Sequence, residues 1–99
     1  MKIVIKKSFL QRLGRQVDFI ANDSVKRARK FSKEILEQIN KIPDNPYINR
    51  KSIYFNEESI RDLIYKGYTV VYRICDDEIQ VFGFVKYQEL PIDGVNNTE

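Results

Sequence analysis

The chain opens on a brief alternation, "KIVIKK" at Lys2–Lys7, in which Ile3 and Ile5 share one side and Val4 takes the other. A period of two over so few residues predicts a short strand. At Ser8 the period changes. Ser8 with Gln11 three residues on has the form of a capping box. Leu10, Leu13, Val17 and Ile20 then recur at helical spacing, which predicts a first helix over about Phe9–Ala21. Gly14 weakens that helix and offers room for a close neighbour. "NDS" at Asn22–Ser24 breaks the pattern and supplies a new N-cap. Val25, Ala28, Phe31, Ile35, Ile39 and Ile42 form the inner stripe of a second helix, over about Val25–Lys41. Two helices joined by so tight a turn make a helical hairpin.

Pro43 and Pro46 end the helical region, and "PDNPYINRKS" reads as a loop with Arg50 and Lys51 near its exit. Tyr54 and Phe55 either anchor that loop or begin a short extended segment. The period of two then returns. Ser59–Tyr65, Tyr68–Cys75 and Glu78–Lys86 read as three strands joined by tight turns at Lys66-Gly67 and Asp76-Asp77. Pro91 stops regular pairing, and residues 92–99 are expected to be a flexible tail.

The order is β-α-α-β-β-β. It predicts an α+β fold in which the helical hairpin packs on one face of a small twisted, mainly antiparallel sheet, with the other face more open. A length of 99 residues suits one domain, assigned to residues 1–91. On Tyr68–Cys75, Tyr68, Val70, Tyr72 and Ile74 make the better core side, which puts Thr69, Val71, Arg73 and Cys75 on the open side. On Ser59–Tyr65, Arg61 and Leu63 alternate with Ile60, Asp62 and Ile64. Apolar residues stand on both sides there, and alternation alone does not select a core face.

Charge adds an asymmetry. Residues 1–51 carry 13 Lys/Arg against 5 Asp/Glu, net +8, and residues 52–99 carry 4 against 9, net −5. A basic half suits nucleic acid, ribosome or an acidic protein segment, although a solvated pair of helices has the same composition. No apolar run approaches a membrane span, and the N-terminus has too short an apolar core for a signal peptide. Cys75 is the only cysteine and has no internal partner. These features lead to the expectation of a cytoplasmic protein without a membrane partner.

The residue inventory narrows the chemistry. With no histidine, His-based triads and His-ligated metals are excluded. One cysteine builds no thiolate zinc site, and no Gly-rich phosphate loop is present, so no cofactor and no metal is expected. Asp76, Asp77 and Glu78 read as a solvated turn. What remains is cations and tyrosines. RNA cleavage by its own 2′-hydroxyl needs cations on the pentavalent phosphate and a group that moves protons. Arg61, Lys66, Arg73, Lys86 and Tyr87 have the right functional groups. For Arg73, an ion pair to an acidic neighbour is the preferred reading over a phosphate contact.

The stretch "IRDLIYKGYTVVYRICDDEIQVFGFVK" resembles the C-terminal sheet of the RelE/ParE superfamily of bacterial toxins. The upstream "SFLQRLGRQVDFIANDSVKRARKFSKEILEQINKIPDNP" resembles that superfamily's helical hairpin and Pro-containing loop. The resemblance covers roughly residues 2–90. It implies a toxin encoded beside a small antitoxin that wraps and neutralises it, in a complex that commonly represses its own operon. RelE-type members cut mRNA in the ribosomal A site with Lys, Arg and often a C-terminal Tyr. ParE-type members inhibit DNA gyrase and lack that set. The RelE-type pattern has an Arg directly after a Gly-Tyr pair, whereas Gly67-Tyr68 is followed here by Thr69. It has lysines on the preceding strand, where this chain has Arg61, Asp62 and Leu63, and the ending "VKYQELP" offers only Lys86 and Tyr87. Many ParE-like members also end on a more basic motif.

The resemblance therefore implies a ParE-like toxin that inhibits growth, stabilises plasmids and binds a target such as DNA gyrase without enzymatic chemistry. Its partners would be a cognate antitoxin and that target, with operator DNA reached only through the antitoxin, as a homodimer or a toxin–antitoxin hetero-oligomer. The first alternative is a metal-independent, ribosome-dependent mRNA endonuclease, with Arg61, Arg73 and Lys86 on phosphate and Tyr87 assisting proton transfer. The second is an inactive member that acts only within an antitoxin complex.

Overall fold

The computed structural model describes residues 1–86. Tyr87, Pro91 and the tail expected at 92–99 lie outside the described residues. Strand β1 (Lys2–Ile5) leads into helix α1 (Lys7–Asp23), helix α2 (Val25–Asn40) and a 3-10 turn at Ile42–Asp44. Strands β2 (Arg50–Lys51), β3 (Ile60–Tyr65), β4 (Tyr68–Ile74) and β5 (Glu78–Lys86) follow. They form one sheet in the order β1-β5-β4-β3-β2, antiparallel except where β1 runs parallel to β5. The fold is thus the α+β hairpin-on-sheet arrangement that the period changes predicted, with one further two-residue strand at Arg50–Lys51.

Helix α2 starts where "NDS" placed it: Ser24 is the N-cap, and its hydroxyl accepts from the Arg27 N–H at 3.1 Å. Helix α1 does not start at the expected capping box. It begins at Lys7, Lys6 is the N-cap, and no side chain caps it. Ser8 lies inside the first turn and donates instead to the Phe82 carbonyl at 3.1 Å. The buried stripe differs from the expected one at its first position. Phe9 and Leu13 are buried, Val17 and Ile20 pack partly against the core, and Leu10 is half exposed, contrary to its expected inward position. Val25, also expected inside, is exposed at the first position of α2.

The main core lies between the hairpin and the sheet. It joins Phe9, Phe31, Ile35 and Ile39 to Leu63, Val70, Tyr72, Ile79, Val81 and Phe84. The Phe9 and Phe84 rings meet edge-on at 5.7 Å. Tyr68, Val70, Tyr72 and Ile74 face this core, as the alternation of β4 predicts.

A β-bulge re-phases β5. Val71 pairs with Gly83 and Tyr72 with Val81, so Phe82 is the extra residue. Val81 and Phe84, three apart, consequently face the same core. A Cβ on Gly83 would sit 2.9 Å from the Cβ of Val71, so no side chain fits there. Gly14, by contrast, has open space around it, and the close neighbour expected there is absent.

The second face of the sheet is not open, which corrects the expectation. Ile60, Asp62, Thr69 and Val71 are all buried although they point away from the main core. The segment 52–59 covers them. Phe55 packs edge-on against Phe82 at 5.6 Å, and the Tyr54 hydroxyl lies near the Thr69 side chain. The Ile53 N–H donates to Asp62 at 3.1 Å. Of the two readings of Tyr54 and Phe55, anchoring is the one observed.

Gly83→Ala should lower folding stability by about 1–3 kcal/mol, because the Val71 Cβ is fixed by its backbone and cannot retreat. Gly14→Ala should raise it by about 0.5–1 kcal/mol, through the entropy and helix propensity that glycine forfeits. Urea midpoints of the two variants read both effects, which have opposite signs.

Candidate functional site

The cations singled out from the sequence are held by different elements and meet at no common point. Register places Arg61 opposite Tyr72 and Ile60 opposite Arg73, so Arg61 points to the helix side of the sheet and Arg73 to the side covered by residues 52–59. Lys86 shares the helix side with Arg61, but it pairs with Tyr68, four residues along β4 from Tyr72. That offset is about 13 Å along the strand, and the two residues flank β4 on opposite sides. Lys66 sits in the β3–β4 turn, in the left-handed region at φ 47°. Tyr87 lies outside the described residues.

Arg61 is buried, and its guanidinium is committed within the fold. Its Nε donates to the Glu58 carbonyl at 2.9 Å, Nη1 to the Asn49 carbonyl at 3.2 Å and Nη2 to the Glu58 carboxylate at 2.6 Å. The Tyr47 ring covers it at 4.8 Å. Beside it, the Tyr72 hydroxyl donates to the Pro46 carbonyl at 2.6 Å and accepts from the Asn49 side chain at 3.0 Å. Burial raises the Tyr72 pKa above the ordinary tyrosine value, which makes it a poor proton acceptor near neutral pH. Arg61 and Tyr72 together clamp the loop after α2 to the segment before β3.

Arg73 is half exposed. It pairs with Glu57 at 3.9 Å and lies 5.6 Å over the Phe82 ring. Its acidic neighbour belongs to the covering segment rather than to an adjacent strand. Thr69, where the RelE-type pattern has its arginine, is buried beneath the same segment. The side chain of Asp62 is fully buried. Its Oδ2 receives Arg50 Nε at 3.2 Å and the Ile53 N–H, and it fastens that segment.

A third cluster ties α2 to the β3–β4 turn. The Tyr65 hydroxyl donates to Glu34 at 2.5 Å, and Lys66 Nζ lies 3.3 Å from the same oxygen. The hydrogen bond from Tyr65 lowers the Glu34 pKa most, with Lys66 adding to it, while the same contacts raise Tyr65 and Lys66.

The structure does bring cations together at a place the sequence reading did not single out. Arg12, Arg15, Gln16 and Phe19 on α1 line a groove of about 240 Å³ with Phe84 and Lys86 of β5. Lys86 Nζ lies 5.0 Å over the Phe19 ring. Gln16 is fixed by donating to the Tyr68 hydroxyl at 2.8 Å, and Tyr68 stacks on Phe84 with centroids 5.3 Å apart. One signal was available: Phe19 is a large aromatic outside the apolar stripe of α1, at helical spacing from Arg12, Arg15 and Gln16. Among the described residues, no group of His, Cys, Asp and Glu is arranged to hold a metal ion, and no helix is long and apolar enough to cross a membrane.

The class that emerges is a small hairpin-on-sheet domain with a basic, partly aromatic surface, the architecture implied by the RelE/ParE resemblance. The model of the family described as "ParE toxin of type II toxin-antitoxin system, parDE" matches residues 3–89. This chain belongs to that family. Membership makes it a toxin component of a type II toxin–antitoxin system, with a cognate antitoxin as partner. No curated protein matches the chain significantly.

Arg61→Lys should cost about 2–3 kcal/mol, since a single ammonium nitrogen lacks the planar fork whose three separate nitrogens reach acceptors in two segments. Arg73→Ala should change stability by less than about 0.5 kcal/mol, as an exposed pair does. Denaturant titration of both variants distinguishes the clamp from the surface pair. The lowered Glu34 pKa has a sign that can also be tested. Its contribution is fully present above the ordinary value of 4.5 and is lost as pH falls through the lower folded value. The stability advantage of the native chain over Tyr65→Phe should therefore shrink below that pH, read from unfolding midpoints at a series of pH values.

Proposed function

We propose that this chain, through a single domain over residues 1–91, is a ParE-like cytoplasmic toxin that binds a protein target, DNA gyrase, and performs no chemistry itself. The observation that carries this reading is the commitment of Arg61. An arginine that must stabilise a phosphorane needs N–H groups aimed at substrate, and those of Arg61 are hydrogen-bonded to two loops of its own chain. Arg73 on the other side of the sheet and Lys86 at its far end do not supplement it. Thr69, beneath Tyr54, leaves no cation at the position of the RelE-type arginine. Neutralisation follows from the same surface. The hairpin, residues 7–40, carries eight Lys/Arg against four Asp/Glu, and an acidic antitoxin segment would be steered to it. Operator DNA would be reached through the antitoxin.

Induced expression tests the proposal. Growth should stop with early loss of plasmid supercoiling and with intact mRNA. Codon-positioned cuts in ribosome-bound mRNA would replace this reading with the endonuclease. Unaffected growth with well-folded protein would replace it with an inactive member that works only in an antitoxin complex. Arg73→Ala and Lys86→Ala should retain the growth arrest under the gyrase reading, and would abolish it under the nuclease reading.

A further inference from the structure

The outer face of α2 breaks several rules that a helix built only for stability obeys. Residues 25–33 carry five Lys/Arg and no Asp/Glu. Lys26, Arg29, Lys30 and Lys33 stand at positions i, i+3, i+4 and i+7, a stripe about 10 Å long on the side opposite the buried Ala28, Phe31 and Ile35. All four are exposed, and no carboxylate of the described residues forms an ion pair with any of them. Like charges at i and i+4, as in Lys26 with Lys30 and Arg29 with Lys33, repel along the helix. The first turn holds Lys26 and Arg27 and no acidic residue, which is the sign of charge that the helix dipole disfavours at that end. Glu34, the acid beside the stripe, is engaged by Tyr65 and Lys66 instead. Lys66 reaches it from a left-handed backbone position, φ 47°, where glycine or asparagine is favoured. The fold thus satisfies Glu34 from the β3–β4 turn and leaves the stripe without an ion-pair partner. These local costs fall on one surface and none of them helps the core, which is the pattern of a binding surface rather than of a folding device.

We infer that this stripe is a contact surface for the phosphate backbone of duplex DNA, bound without regard to sequence. Cations that neutralise phosphates release the condensed counterions of the duplex, and that release needs no apolar anchor. The stripe offers none. The one large apolar side chain that α2 exposes is Val25, at its first position, so an amphipathic protein segment finds little to bury here. The only aromatic residue of α2, Phe31, is buried, so the stripe has no platform on which the bases of a single strand would stack. A straight row of charges on a rigid helix suits a rigid polyanion. Backbone contacts carry no sequence information, so the choice of an operator would still fall to the antitoxin. The inference is independent of the proposed target, since it concerns what this chain binds by itself.

The test is fluorescence anisotropy of the whole purified chain with a labelled duplex of arbitrary sequence, about 20 base pairs long, over a series of salt concentrations. Binding should weaken by about a hundredfold between roughly 50 and 200 mM salt, the dependence expected of about four phosphate contacts. Lys26→Ala, Arg29→Ala, Lys30→Ala and Lys33→Ala combined should weaken binding at low salt by at least about tenfold and flatten the salt dependence. A second fourfold variant, Lys2→Ala, Lys6→Ala, Lys7→Ala and Lys51→Ala, removes the same net charge from other elements and should change affinity by less than about threefold. The α2 variant should also have a urea midpoint no lower than that of the native chain, because its replaced cations repel one another and alanine favours the helix. Absence of duplex binding at low salt, or equal losses in the two variants, would overturn the inference. So would tighter binding of a single strand of the same sequence, tighter binding of an acidic polypeptide, or a lowered urea midpoint in the α2 variant. A chain that arrests growth through gyrase but ignores the duplex sinks this inference alone, and one that binds the duplex without arresting growth sinks only the proposed target.

Discussion

The bulge at Phe82–Gly83 is the constraint on which the two faces of the sheet depend. A regular β5 with Ile79 and Val81 inward would turn Phe84 and Lys86 to the opposite side. One extra residue restores Phe84 to the core against Phe9 and carries Lys86 to the helix side, over Phe19. The same residue serves the second face. The Phe82 ring supports Phe55 and Arg73, and its carbonyl accepts from Ser8 in the first turn of α1. Only glycine fits next to it, because the strand opposite presents the branched Val71. A local break in pairing thus sets the core, the cover of the far face and one wall of the basic groove.

The covering segment explains why the sheet's second face is not available as a flat platform. Its fixings are mixed in kind: an aromatic contact at Phe55, a hydroxyl contact at Tyr54, and the buried carboxylate of Asp62, held by Arg50 and the Ile53 N–H. A buried carboxylate with a single charged partner is costly unless backbone donors share it. Here one does, at Oδ2, while Oδ1 is buried without a hydrogen-bond partner, so lifting the segment would strip a donor from a carboxylate that has none to spare. Arg61 closes the same segment from the other side of the sheet through Glu58. Two charged residues adjacent in β3 therefore act on opposite faces toward one end, which is to fasten the chain on either side of the strand.

Much of this was legible in the sequence. The helix stripe of α2, the Ser24 cap, both hairpin turns and the inward side of β4 follow from local periodicity, which depends on near neighbours. What escaped depended on distant ones. Ser8 has a good capping sequence, but the helix already begins at Lys7, and Ser8 inside its first turn donates to a carbonyl 74 residues away. Leu10 faces outward and Phe9 inward. Gly83 inside a strand was an available sign of a bulge, and without it β5 alternates wrongly from Gly83 onward. Arg61 could not be assigned a side from β3 alone, since Ile60 and Leu63 are both buried, one under each cover.

The distribution of cations separates chemistry from recognition. Charges that catalyse must converge on one point and be aimed there at the expense of other contacts. In the sheet, Arg50 is instead spent on the buried carboxylate of Asp62, Arg61 on the Glu58 carboxylate and two backbone carbonyls of its own chain, and Arg73 is set on Glu57. On α1, Arg12 and Arg15 line a groove with an exposed aromatic between them and Lys86. The first arrangement stabilises a fold and the second offers a surface. Recognition tolerates that arrangement because each contact adds to affinity on its own, whereas catalysis requires all of them at once. Positive charge kept on a helix face, with the sheet arginines made structural, is the division of labour on which the proposed protein-binding reading rests.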